Sequence, residues 1–127
     1  MDGPLGVRAL LDTSAIIDLP HLTLPSDVEA WAVSAVSFGE LEAGVLMATD
    51  QSVRAERLRQ VAALSSLVVL DVDRAVAGCY AELRAAVGRR PSNDLWIAAT
   101  ALAHGLVLIT ADERQASLPL VRTALVS

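Results

Sequence analysis

The sequence predicts an α/β protein, a single domain over residues 1–127, built as an α/β/α sandwich. A central parallel sheet of four to five strands would be flanked by helices. Three observations predict it. Short, almost wholly apolar runs such as Ala9-Leu10-Leu11 and Leu106-Val107-Leu108-Ile109 alternate with longer segments of helical character. Such runs suit strands covered on both faces, and strand–helix alternation makes parallel units. The chain has 127 residues, the size of one domain, and is 54% hydrophobic but only 3% aromatic, so its core must be aliphatic.

The elements follow in order. Arg8-Ala9-Leu10-Leu11 is the first strand, with Asp12 at its carboxyl end. Ser14 to Leu19 forms a short helical turn stopped by Pro20, and His21 to Pro25 is loop. Ser26-Asp27 caps a turn near Glu29, and Trp31 to Val36 is the second strand. Ser37 opens a helix from Phe38 to about Ala48, and another runs from about Ser52 to Leu64 with its arginines on one side. Leu67 to Leu70 is the third strand. Asp71 and Asp73 precede a helix ending near Gly88, and Arg89-Arg90-Pro91 is a hinge. Ser92 starts a helix through His104, with Gly105 as its C-terminal cap. Leu106 to Ile109 is the fourth strand, ending at Thr110; a short helix follows Ala111, and Leu120 to Val126 forms a last strand.

Composition narrows the function classes. No apolar run approaches the ~18 residues of a membrane span. Met1-Asp2-Gly3-Pro4 lacks the basic region of a secretion signal, and the single Cys79 has no internal disulfide partner. The expectation is a cytoplasmic protein with no membrane partner. Net charge is −5, which argues against nucleic-acid binding by bulk charge. All ten basic residues are arginine, however, clustered at Arg54, Arg57 and Arg59 and at Arg84, Arg89 and Arg90. Arginine suits bidentate phosphate contact, although arginines also simply solvate helix faces.

Four acids fall where strands end and helices begin: Asp12, Glu40, Asp94 and Asp112. In open parallel sheets ligands bind just beyond the carboxyl ends of the strands. Each acid also has an ordinary reading. Ser37 with Glu40, and Thr110 with Glu113, have the spacing of capping boxes, while Asp94 and Asp112 complement helix dipoles. Together they carry more weight. Two carboxylates ~4 Å apart at an effective dielectric of ~20 repel by roughly 4 kcal/mol. Several such pairs rival a domain's whole stability unless protons or cations offset them. An all-oxygen site suits Mg²⁺ or Mn²⁺, which orient water and phosphate for hydrolysis. Ser14 and Thr110 would support it through hydrogen bonds, or else serve only their local turns.

Leu10-Leu11-Asp12-Thr13-Ser14, Ser37-Phe38-Gly39-Glu40-Leu41, Asn93-Asp94-Leu95-Trp96-Ile97-Ala98-Ala99-Thr100-Ala101 and Leu108-Ile109-Thr110-Ala111-Asp112 resemble the four motif regions of PIN-domain ribonucleases, most nearly the VapC toxins of bacterial toxin–antitoxin pairs. Order and spacing match over nearly the whole chain. The resemblance implies a PIN-like sheet of order 3-2-1-4-5, with Asp12 and Asp112 flanking its switch-point crevice. It implies that Asp12, Glu40, Asp94 and Asp112 are both the catalytic residues and the metal ligands, with Mg²⁺ or Mn²⁺ as cofactor. It also implies endonucleolytic RNA cleavage, homodimers, and a VapB-like antitoxin that wraps the toxin, with higher assemblies open to it. One departure stands out: Glu113-Arg114-Gln115-Ala116 follows the last motif, where family members often carry an aromatic or a further acid. RNA contact would then rely on Arg89, Arg90, Arg54 and Arg57.

Other classes fit less well. A signalling receiver needs a late-strand lysine, and this chain has no lysine. Strand-end aspartate phosphatases usually carry a second acid two residues on, where this chain has Ser14. The alternative is a catalytically inert PIN-like module that binds RNA or protein. His21 and His104 are read as structural or surface residues, Trp96 as core beneath the site, Trp31 as packing at the second strand's start, and Cys79 as a small buried residue. Asp18 shields the site's entrance or caps the Pro20 turn, and Glu42 points away from Glu40's face.

Overall fold

The computed structural model describes residues 7–127. The reading of Met1-Asp2-Gly3-Pro4 lies outside them. Five parallel strands, β1 (Val7–Leu11), β2 (Val28–Ser34), β3 (Val68–Leu70), β4 (Val107–Thr110) and β5 (Thr123–Leu125), form one sheet of order β3-β2-β1-β4-β5. The helices are α1 (Thr13–Ile17), α2 (Ala35–Met47), α3 (Gln51–Ala63), α4 (Arg74–Val87), α5 (Ser92–His104) and α6 (Glu113–Ala116). Both the fold class and the strand order are as expected.

The pleat explains why the strand runs are apolar throughout. Successive side chains point to opposite faces. Leu10, Ala32 and Leu108 enter one buried cluster with Val76, Leu83, Leu95 and Ile97 of α4 and α5. Ala9, Leu11, Val33 and Ile109 enter a second, with Ile16 of α1 and Leu41 of α2. The strands β1, β2 and β4 thus each feed two cores, one on either face of the sheet. Among the described residues no helix is long and apolar enough to cross a membrane.

Several boundaries differ from expectation. The second strand ends at Ser34, and α2 begins at Ala35 rather than at Phe38. Short apolar runs do not distinguish strand from helix, and Ala35-Val36 is such a run. The cap is Ser34, whose Oγ accepts from Val36 N at 3.1 Å. Ser37 lies inside the helix and is fully buried, so the Ser37–Glu40 capping box is not formed. Likewise α6 is capped by Asp112, whose Oδ1 accepts from Arg114 N at 2.8 Å, and not by Thr110. Pro20 does not end the first helix. It sits inside a 3-10 turn, Leu19–His21, that follows it. The last strand is only Thr123–Leu125, because Leu120 adopts a left-handed φ of 72° that breaks an extended run. Helix α5 has the expected bounds, and Gly105 terminates it at φ 65°.

Candidate active site

Topology puts β1 between β2 and β4, so whatever leaves those three strands meets at one edge. Leu11 pairs with Ile109, and Asp12 N donates to Ile109 O at 2.8 Å. Asp12 therefore follows the strand directly into the crevice, beside Thr110. Its side chain makes no helix cap and is only 4% exposed. Oδ2 accepts two hydrogen bonds, from Thr110 Oγ1 at 2.7 Å and Ser14 Oγ at 2.9 Å. The two hydroxyls are themselves fixed: Ser14 Oγ accepts from Ala111 N at 3.0 Å and Thr110 Oγ1 from Asp112 N at 3.1 Å. Both expected supporting hydroxyls thus bind the aspartate itself and hold the loop after β4. Burial pushes the Asp12 carboxyl above its ordinary range. Hydrogen bonds from Thr110 and Ser14 pull it back, and the charge of Asp112 pushes it further up.

Glu40 lies in the second turn of α2, not the first, yet it still faces the crevice. Its Oε1 accepts from Thr13 Oγ1 at 2.8 Å and its Oε2 from Asn93 Nδ2 at 3.2 Å. The single Thr13 proton is used on Glu40. In the 2.8 Å contact between the two hydroxyls, Ser37 Oγ is therefore the donor to Thr13. Asp94 occupies the first turn of α5 and is half-buried. Burial raises its pKa, followed by the charges of Asp12, Asp112 and Glu40, while Arg90 opposes them. Asp112 is exposed at the head of α6.

The four acids thus come within electrostatic reach of one another around Asp94. They do not close as ligands: among the described residues, no three Asp, Glu, His or Cys side chains gather tightly enough to hold an ion as they stand. Glu40 and Asp112 are turned to protein donors instead. The donor set is nevertheless entirely oxygen and carries excess negative charge, the chemistry that hard divalent cations match.

The sequence assigns no site role to Thr13, Asn93 or Gln115, whose Nε2 donates to Asp94 O at 2.8 Å, and it offers Ser37 only as a helix cap. Thr13 and Asn93 are chain neighbours of Asp12 and Asp94, a signal that was available. Gln115 has no such signal. Among the arginines, Arg54 Nη2 donates to Ala48 O at 2.6 Å and Arg57 Nη1 to Gly44 O at 2.7 Å, tying α3 to the end of α2. Arg57 also lines a cleft of about 490 Å³ that includes Thr13 and Glu40. Arg89 is exposed, whereas Arg90 is half-buried and donates to Arg114 O at 2.6 Å. Trp96 is half-buried rather than core and stacks on Tyr80 with ring centroids 3.9 Å apart. Cys79 is likewise only partly buried, and the Asp18 side chain makes no cap bond.

The sequence profile of the PIN domain matches residues 9–120. The chain belongs to the PIN-domain family. Ribonuclease VapC4 of Mycobacterium tuberculosis is 41% identical to it over 119 residues, 88% of this chain and 92% of that protein. Ribonuclease VapC5 of the same organism is 38% identical over 119 residues, 86% of each chain. The crystal structure of VapBC-5 from Mycobacterium tuberculosis, a member of the VapBC family of toxin–antitoxin systems, contains a chain of TM-score 0.84 and 35% identity. The match covers 94% of this chain and 98% of that one. In this PIN domain the matched segment runs from Ala9 to Leu120, so it contains all four acids and the network around Asp12.

Proposed function

We propose that this PIN domain is a Mg²⁺- or Mn²⁺-dependent endoribonuclease, the toxin of a type II toxin–antitoxin pair, acting in the cytoplasm. The observation that carries this reading is the buried Asp12 at the end of β1, held by Thr110 and Ser14, beside Asp94, whose pKa is raised first by burial and then by the charges of Asp12, Asp112 and Glu40. Relatives at 38–41% identity are named ribonucleases, which supports RNA as the substrate. The VapBC-5 structure supports a VapB-like antitoxin as partner.

Asp12, Glu40, Asp94 and Asp112 would hold the cation. Bound there, it would supply positive charge to a phosphodiester and make water a better nucleophile. The chain's own residues do the rest. Thr110 and Ser14 orient Asp12, Thr13 and Asn93 orient Glu40, and Arg57 offers a charge to the RNA backbone at the cleft beside Glu40. Arg54, Arg89 and Arg90 complete the set of RNA contacts; Arg54 and Arg90, like Arg57, also donate to backbone carbonyls, and Arg57 is the one of the four that lines this cleft. The working unit is a homodimer.

The test is cleavage of total RNA with Mn²⁺ by the wild type and by purified, folded Asp94→Asn. The expected result is loss of cleavage by at least 100-fold and wild-type inhibition by EDTA. Cleavage at the wild-type rate by the folded variant would sink the reading and favour an inert module. Cleavage should also stop when a VapB-like partner from the neighbouring reading frame is added.

A further inference from the structure

We propose that Gln115 is a positioning residue that holds Asp94 in place for the cation, an inference that rests on the metal-site reading above. Gln115 is 1% exposed. Its backbone carbonyl accepts from Leu118 N at 3.2 Å and its side chain reaches the residue before Leu95, and both leucines belong to a buried apolar cluster. A buried amide is unfavourable unless it makes hydrogen bonds. Its Nε2 makes one, to the backbone carbonyl of Asp94 at 2.8 Å. A carbonyl has two lone pairs, so it can accept this bond beside a helical one. The bond fixes the first turn of α5, and with it the direction in which Asp94 leaves the backbone.

A second side chain crosses the same junction the other way. Arg90, just before α5, donates through Nη2 to the carbonyl of Arg114 at 2.6 Å, one residue before Gln115. Two reciprocal straps therefore join the start of α5 to α6, whose first cap is Asp112. Both keep a buried atom without a partner, Arg90 Nε and Gln115 Oε1. Mere packing would not retain such groups at a helix junction. Holding Asp94 and Asp112 in fixed relation explains both, and it explains why a glutamine stands three residues after the last acid of the site.

The experiment uses Gln115→Met, which keeps length and volume but cannot donate, with Gln115→Leu as a second apolar variant and Asp94→Asn in parallel. Melting temperature without metal and Mn²⁺ affinity by titration calorimetry are measured on each, followed by RNA cleavage. The expected outcome is an unchanged or higher melting temperature in the Gln115 variants, with Mn²⁺ affinity lower by about tenfold and cleavage reduced in parallel. A purely structural glutamine would lower melting temperature and leave affinity alone, and that result overturns the proposal. So does wild-type affinity in both Gln115 variants while Asp94→Asn loses Mn²⁺ binding. If Asp94→Asn itself binds Mn²⁺ as the wild type does, the metal-site reading fails, and the role of Gln115 falls with it.

Discussion

Thr110 Oγ1 donates a 2.7 Å hydrogen bond to Asp12 Oδ2, joining the ends of two neighbouring strands. Both side chains are buried. Hydrogen bonds to charged groups contribute about 1.5–3 kcal/mol, and the cost of removing the donor from a buried carboxylate is at the upper end. Thr110→Val keeps the shape of the side chain and removes the donor. We expect it to lower stability by about 2 kcal/mol in urea unfolding at pH 7. Unchanged stability would mean that the bond does not serve the ionised carboxylate.

Removal of the charge itself should have the opposite effect. Burial and the neighbouring Asp112 charge disfavour ionised Asp12. Asp12→Asn keeps an oxygen to accept from Thr110 and Ser14 but removes that charge. In EDTA the variant should melt a few degrees above the wild type, roughly 4 °C for each ~1 kcal/mol. Millimolar Mn²⁺ should raise the wild-type melting temperature and leave the variant unmoved. Equal responses to Mn²⁺ would remove Asp12 from the cation site.

The same charge makes the comparison pH-dependent. A carboxyl whose folded pKa is raised binds its proton more tightly in the native state. The stability it contributes is complete below the ordinary value of 3.8 and is lost as pH rises through the raised folded value. The advantage of Asp12→Asn in EDTA should thus be largest at neutral pH and shrink as the pH falls toward 3.8. Asp50, lowered by Ser52 and Val53, runs the other way and is common to both proteins, so it cancels. Urea midpoints at several pH values measure the gap. A constant gap would contradict the raised pKa.

Arg57 and Arg59 separate a structural arginine at the cleft from a surface one. Arg57→Ala removes the bond to Gly44 O and should cost about 1 kcal/mol. It should also weaken RNA binding by roughly threefold to tenfold, read by anisotropy in the Asp94→Asn background, since Arg57 lines the cleft with Glu40. Arg59 pairs with Glu56 on the surface, and Arg59→Ala should change stability by less than about 0.5 kcal/mol. Equal RNA affinity in the two variants would exclude Arg57 from the RNA path.

Local chemistry made much of this protein legible. Helix α5 was readable to the residue, because Ser92 and Gly105 mark its ends and Gly105 takes the positive φ that glycine tolerates. Helix α2 was not, because Ala35-Val36 suits either strand or helix and only pairing with β1 and β3 ends β2 at Ser34. The strand order came from the family resemblance, since no local pattern encodes which parallel strands are neighbours.

The sequence by itself determined the alternation of strands and helices and the position of Asp12, Asp94 and Asp112 at the element ends, with Glu40 a turn further into its helix than expected. Both follow from periodicity and composition within a few residues. Tertiary structure decided how the acids are held. Ser14 became a donor to Asp12 because β4 brings Thr110 and Ala111 beside it. Thr13 and Asn93 became the partners of Glu40, and Gln115 the partner of the Asp94 carbonyl. These bonds join residues from 2 to 98 positions apart. Apart from the shortest, their partners meet only when the sheet and its helices have packed, because a side chain's hydrogen-bonding capacity is local but its choice of partner is not.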